Sequence, residues 1–148
     1  MRRLLASALL LATLPLPSHA QLPPHAWLFG TWTGGLFPAP ETLSAAACLS
    51  QPVVIFTRDL VLRATLVEQT LTERIIETAN ATPTSVEFRF APGGIDAGAS
   101  PNPNLPGGAS QLGFGCQSDN VLHVLRRGPN EISFPGCKDF PNPLVRCP

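Results

Sequence analysis

Along the chain, apolar and polar residues alternate in short runs separated by clusters of Pro, Gly, Asn and Ser, the pattern of strands joined by turns. The clearest run is Ser85 to Phe90, where Val86, Phe88 and Phe90 alternate with Glu87 and Arg89, as a half-buried strand requires. The longest is Val53 to Val67, rich in β-branched residues and read as one strand, followed by Leu71 to Ala79 with Glu68-Gln69 as the hairpin tip. Gly30 to Phe37, Gln111 to Cys116, Val121 to Arg126 and Glu131 to Phe134 complete the set, the last two joined by the turn Arg127-Gly128-Pro129-Asn130. Helical signal is confined to Pro40 to Cys48, where a proline precedes good helix formers, enough for one or two turns. The tail, Lys138 to Pro148, carries three prolines, so it is expected to lie along a surface and not to form a central strand.

The two remaining stretches have other characters. Arg2 and Arg3, the apolar run Leu4 to Leu14 and the small-x-small ending Ser18-His19-Ala20 form a secretory leader, so residues 1–20 are set aside as a signal peptide cleaved near Ala20. Its apolar run is too short to span a bilayer and no second run approaches that length, so no membrane insertion is expected. The mature chain, 21–148, is expected to be a single soluble domain, secreted or periplasmic. Residues 91–110 are dense in Pro and Gly and nearly free of apolar side chains, which reads as one long loop within that domain.

About seven strands and short turns predict an all-β fold, a small antiparallel meander closed into a barrel or folded into a sandwich. Composition then narrows the function. Ten Lys and Arg balance ten Asp and Glu, and loss of Arg2 and Arg3 with the leader leaves a slight acidic excess. No basic stripe is present, so nucleic acid is not an expected partner.

Export to an oxidising compartment makes Cys48, Cys116, Cys137 and Cys147 disulfide residues. They show no C-x-x-C pair and no neighbouring histidine, and no metal or cofactor is expected. Four cysteines allow three connectivities. Alternating strand directions bring Cys48, Cys116 and Cys137 to one end, and Cys147 joins them if the tail doubles back at Pro141 and Pro143. That favours Cys116–Cys137 with Cys48–Cys147; pairing of Cys137 with Cys147 is the rival.

Catalytic residues are hard to assemble. The mature histidines are His25, in the N-terminal stretch, and His123, which alternates with Val121 and Leu125 on an apolar face. No G-x-S-x-G or S-x-x-K motif offers a nucleophile to His123, and the glycine pairs Gly93-Gly94 and Gly107-Gly108 lack the context of a phosphate loop. Glu73 and Glu77 are separated by about 13 Å of strand, too far for a glycosidase pair. An enzyme is therefore not expected.

Binding residues are easier to nominate. A two-residue turn at Glu68-Gln69 sets Arg63 opposite Arg74, a like-charged pair that needs an anion or a carboxylate between its members. Arg89 on the next strand can extend the patch. Guanidinium forks carboxylate and phosphate groups, so this face is a candidate anion site; as an ordinary solvated surface it has Asp59 and Glu87 for counter-ions. Eight Phe, two Trp and no Tyr suit buried packing, although Trp27, Phe37 and Phe140 exposed together would mark a partner surface.

Gly30-Thr31-Trp32 opens the first strand just after the leader, and this G-x-W in a small exported β protein resembles the opening motif of lipocalin-like (calycin) barrels. The resemblance implies a barrel whose base is closed by Trp32, an apolar or anionic small molecule held inside, or, in one bacterial branch, inhibition of a secreted protease through the N-terminus. The chain is shorter than the family pattern, lacks a clear C-terminal helix and ends in a proline-rich tail. The alternative is a non-enzymatic envelope protein that contacts a partner through residues 91–110 and exposed aromatics.

Overall fold

The computed structural model describes residues 22–64, 71–92 and 114–148. Eight antiparallel strands follow one another around a closed barrel: β1 (Gly30–Gly34), β2 (Val53–Phe56), β3 (Leu60–Ala64), β4 (Thr72–Ala81), β5 (Ser85–Phe90), β6 (Val121–Gly128), β7 (Glu131–Ser133) and β8 (Leu144–Arg146), with β8 pairing back onto β1. A 3-10 helix, Ala26–Leu28, precedes β1, and a short α1 (Ala45–Leu49) sits between β1 and β2. The all-β barrel expected from the pattern of strands is the fold.

Three elements differ from expectation. The run Val53 to Val67 is two strands. The Thr57 hydroxyl accepts the amide of Leu60 at 3.0 Å, and the Thr57 amide donates to the Leu60 carbonyl at 2.9 Å, so the chain reverses over Arg58-Asp59 inside an otherwise β-branched run. The turn between β4 and β5 repeats this chemistry with Thr82 and Ser85. No strand forms over Phe114 to Cys116, where Gly115 has φ +65°; residues 111–113 of the expected strand lie outside the described residues, as do 1–21, 65–70 and 93–113.

The third difference is the tail. Leu144 to Arg146 is the closing strand of the barrel, hydrogen-bonded between β7 and β1. Its prolines, Pro141, Pro143 and Pro148, all flank the strand and none interrupts its ladder, so the rule against proline in a central strand does not apply to these three residues. Helix formation was located more closely: Ser44 caps α1 by accepting the amide of Ala47 at 3.1 Å, as a helix N-terminus favours.

Alternation places Trp32, Val54, Phe56, Val61, Val86, Phe88, Phe90, Leu122, Val124, Ile132 and Leu144 inside, all between 0 and 2% exposed. Burial of each such side chain contributes about 1.5–3 kcal/mol, offset by the ordering of the chain. Thr33, one position on from Trp32, points outward yet is buried: its hydroxyl donates toward the carbonyls of Cys48 and Pro52 at 3.2 and 3.3 Å, so α1 covers it.

Both disulfides join the favoured partners, Cys48 with Cys147 and Cys116 with Cys137. Their placing differs from the simple one-ended picture. The tail does not double back; Cys147 continues the line of β8 and donates its amide to Thr31 at 2.9 Å, so its bridge pins α1 against the wall. The Cys116–Cys137 bridge instead ties together two segments at the end where β5 finishes and β6 begins, here called the mouth. The opposite end, with the 3-10 helix and the turns at 57–60 and 82–85, is the base.

Candidate functional site

At the base, Trp32 lies across the interior and its indole N–H donates to the Leu28 carbonyl at 2.8 Å. Arg146, its cross-strand partner on β8, lays its guanidinium over the indole, 4.4 Å from the ring centroid. The same guanidinium donates to the carbonyls of Phe29 and Trp27, tying the last strand to the segment before the first. Burial, and then the neighbouring Arg126, pull Arg146 below the usual arginine range; an arginine remains a cation at neutral pH all the same. Arg126 covers Trp27 at 5.2 Å. His25 completes the plug: its Nε2 donates to the Arg58 carbonyl at 3.1 Å, and its ring packs edge-on to Phe29 and Phe88.

Sequence reasoning found Trp32 and missed Arg146. The signal was present in the alternation of Leu144 and Arg146, but it was discounted together with the prolines that surround it.

At the mouth, Arg63 and Arg74 share one face as expected, and that face is the barrel interior. The register is shifted by two residues from the expected one: Arg63 pairs with Thr72 and Arg74 with Val61, so the two arginines are diagonal neighbours and not opposite each other. That register excludes Glu68-Gln69 as the two-residue tip; residues 65–70 themselves lie outside the described residues. Arg63 reaches the Asp139 carboxylate at 2.8 Å and stacks over Phe140 and Phe114, 5.1 and 5.9 Å from their centroids. Arg74, 3% exposed, donates to Asn120 Oδ1 at 2.8 Å and covers Phe90 at 4.9 Å. Both guanidinium groups thus lie on aromatic faces, where the ring quadrupole attracts them.

Arg89 does not join them. It points outward from β5 and pairs with Glu87 at 3.3 Å. The expected exposed trio of rings does not form either: Phe140 is buried, Trp27 is half-buried under Arg126, and only Phe37 is exposed.

Between the two ends the rings touch in sequence. Phe56 stacks on Phe88, Phe88 on Phe90 and Phe90 on Phe114, at 5.7, 6.2 and 6.1 Å between centroids, and Phe134 and Phe140 close on Phe114 at 5.7 and 5.9 Å. Among the described residues these rings form one contact series running through the inside of the barrel from base to mouth. Gly35 matters here, since a β-carbon on it would enter the Phe140 ring. A ligand-holding barrel needs several hundred Å³ of lined space. Depressions of that size, about 640 and 690 Å³, lie on the outer wall, on either side of Pro135 to Cys137.

The first of these is bordered by Glu87, Arg89, Ser118 and His123. His123 Nδ1 is 3.8 Å from the Glu87 carboxylate, beyond hydrogen-bond reach, and among the described residues it has no bond to a hydroxyl. No group of three metal-ligating side chains occurs among the described residues, and no helix there is long and apolar enough to cross a membrane. Comparison with models of known protein families, with curated proteins and with solved structures finds no match.

Proposed function

We propose that this chain is an exported, calycin-like binding protein, not an enzyme, and that it engages another protein through the outside of its barrel. Trp32 of the G-x-W motif at the base supports the calycin likeness. Two modes of binding follow from that likeness, a small molecule inside or a protein outside. One observation favours the second: the contact series Phe56, Phe88, Phe90, Phe114, Phe134 and Phe140 runs through the inside of the barrel, where an internal ligand would have to sit.

Insertion of the N-terminus into a protease cleft is less well supported than contact through the wall. The Ala26 amide already donates to Pro23 at 2.9 Å. Cleavage after Ala20 leaves only Gln21 and Leu22 ahead of that turn, a reach of about 7 Å. Native mass spectrometry of the protein purified from its own host tests the reading. The expected species is the chain from Gln21 with both disulfides closed, alone or bound to a protein. A stoichiometric small molecule that leaves only on unfolding would overturn it.

A further inference from the structure

Among the described residues, the ladder between β6 and β7 stops one rung short of His123. Along β6, Arg126 donates its amide to Thr84 and Asn120 accepts from Phe90, so even-numbered residues aim their main-chain groups at β5. Odd-numbered residues therefore aim theirs at β7. Leu125 meets Ser133 there. The same register would set His123 against residue 135, but that is Pro135, which has no amide proton to give. The chain turns away at that point, the Cys137 amide closing onto the Phe134 carbonyl at 3.3 Å. Against β5, His123 faces Glu87 in a pair that exchanges no main-chain bonds. Among the described residues, the N–H and C=O of His123 therefore have no main-chain partner on either side.

The gap coincides with the 640 Å³ depression, bounded by Val121, His123 and Leu125 on one side and by Pro135, Gly136 and Cys137 on the other. The Cys116–Cys137 bridge holds its upper margin at the mouth, and the β6–β7 ladder closes it below. A substituent on Gly136 would meet nothing within 4 Å, so the far wall is low and open to solvent. Charge around the two adjoining depressions leans basic: Arg89 and Glu87 pair with each other, which leaves Arg127 and Lys138 against Glu131, a balance that favours an acidic visitor.

We propose that this window docks an extended, acidic peptide segment of a partner protein, one residue of which completes the rung by pairing with the main chain of His123. An unpaired donor and acceptor on a strand is a template for an added segment, and flanking side chains supply selectivity. The inference rests on the reading that the barrel binds through its outer wall, and it names where.

The test uses the full, disulfide-closed protein and two capped hexapeptides, one alternating Glu with Val and one alternating Lys with Val. Amide-resolved NMR and hydrogen exchange are expected to show the Glu–Val peptide shifting His123 and its neighbours and slowing exchange of the His123 amide about tenfold. The Lys–Val peptide leaves them unmoved. His123→Pro removes an amide that bonds to no main chain in the free protein; it is expected to fold, as proline is tolerated on an unpaired strand side, and to weaken the Glu–Val peptide by about tenfold or more. His123→Thr keeps the amide and binds within about twofold of the parent. Equal binding by His123→Pro, or amide shifts confined to other parts of the surface, overturns the window while leaving outer-wall binding intact. Should His123→Pro fail to fold, exchange at the His123 amide of the unaltered protein decides alone. A peptide that leaves every amide unmoved also overturns the proposal. Retention of a small molecule in the interior would instead overturn the broader reading.

Discussion

The two ends of this barrel are closed by the same kind of contact, a guanidinium on an aromatic face, but the segments that supply it differ. At the base, one stretch of chain does most of the work: His25 to Trp32 folds under the opening, and Arg146 binds it through carbonyl oxygens that belong to that stretch. At the mouth, the closing rings come from β5 and from the segments around Phe114 and around Phe134 to Phe140, and the charge on Arg63 is met by Asp139 from one of those same segments. Pieces so far apart in sequence must each be ordered against chain entropy, and no single local turn holds them. The Cys116–Cys137 bridge stands where this deficit is greatest. Both ends use distant contacts, since Arg146 lies 117 and 119 residues from the carbonyls it binds. The base differs in that those contacts meet one local stretch, whereas at the mouth several separate segments meet one another and a disulfide ties two of them.

Removing disulfides is expected to have the largest effects, and the two should differ in kind. The Cys48–Cys147 bridge spans 99 residues and the Cys116–Cys137 bridge 21. In the loop-entropy model their loss costs about 5 and about 3 kcal/mol respectively, measured by denaturant unfolding of the paired Cys→Ser variants. The sharper expectation concerns location. Without Cys116–Cys137, fast hydrogen exchange should appear at Phe114 and at Lys138 to Phe140 while Leu28 and Trp32 stay protected. Equal loosening of both ends would remove the distinction drawn between them.

Arginine replacements come next. Arg146→Met keeps much of the volume but leaves the Trp27 and Phe29 carbonyls without their donor and uncovers Trp32, a loss of about 2–4 kcal/mol. It should also change the tryptophan emission, because Trp32 and the donor-dependent carbonyl of Trp27 both lose their guanidinium contact. Arg63→Met should cost only about 1 kcal/mol, since the Asp139 side chain it meets is 36% exposed and can be solvated when released. If the mouth arginine proves the more costly of the two, the base is not the more firmly closed end.

Much of this was legible in the chain. Period-two alternation in Ser85 to Phe90 fixed an inward face that the barrel uses unchanged. The favoured cysteine pairs are the ones formed, although the strand count behind them held only because one extra strand and one strand absent among the described residues cancel. Parity also survived the error in register: Arg63 and Arg74 share a face whether the shift is zero or two, because strands repeat every two residues. Failures arose where a local rule was applied one residue too widely. Prolines at 141 and 143 bend the chain toward β8 without entering it, and Arg58-Asp59 is a turn too short to break the impression of one β-branched run. The direction of the arginine face, inward and not outward, depends on closure of the barrel, which no single strand encodes. The missing rung at His123 is visible only once β6 and β7 are in register, although Pro135 is the residue that causes it.

The smallest expected effect discriminates most finely between the ends and the wall. Arg89 was grouped with Arg63 and Arg74 on sequence, yet its side chain is 60% exposed and its partner Glu87 lies two residues along the same strand. An exposed pair of this kind gains little Coulomb energy in water and gives up side-chain freedom to form. Arg89→Ala should therefore shift stability by less than about 0.5 kcal/mol in denaturant unfolding. The same change in the two end arginines removes a cation from a buried ring and cannot be silent. A loss above about 1 kcal/mol for Arg89→Ala would mean that the outer face of β5 bears on the core after all. A silent result leaves the wall around β5 and β6 free to vary without cost to the fold, which is the condition a surface must meet to serve recognition.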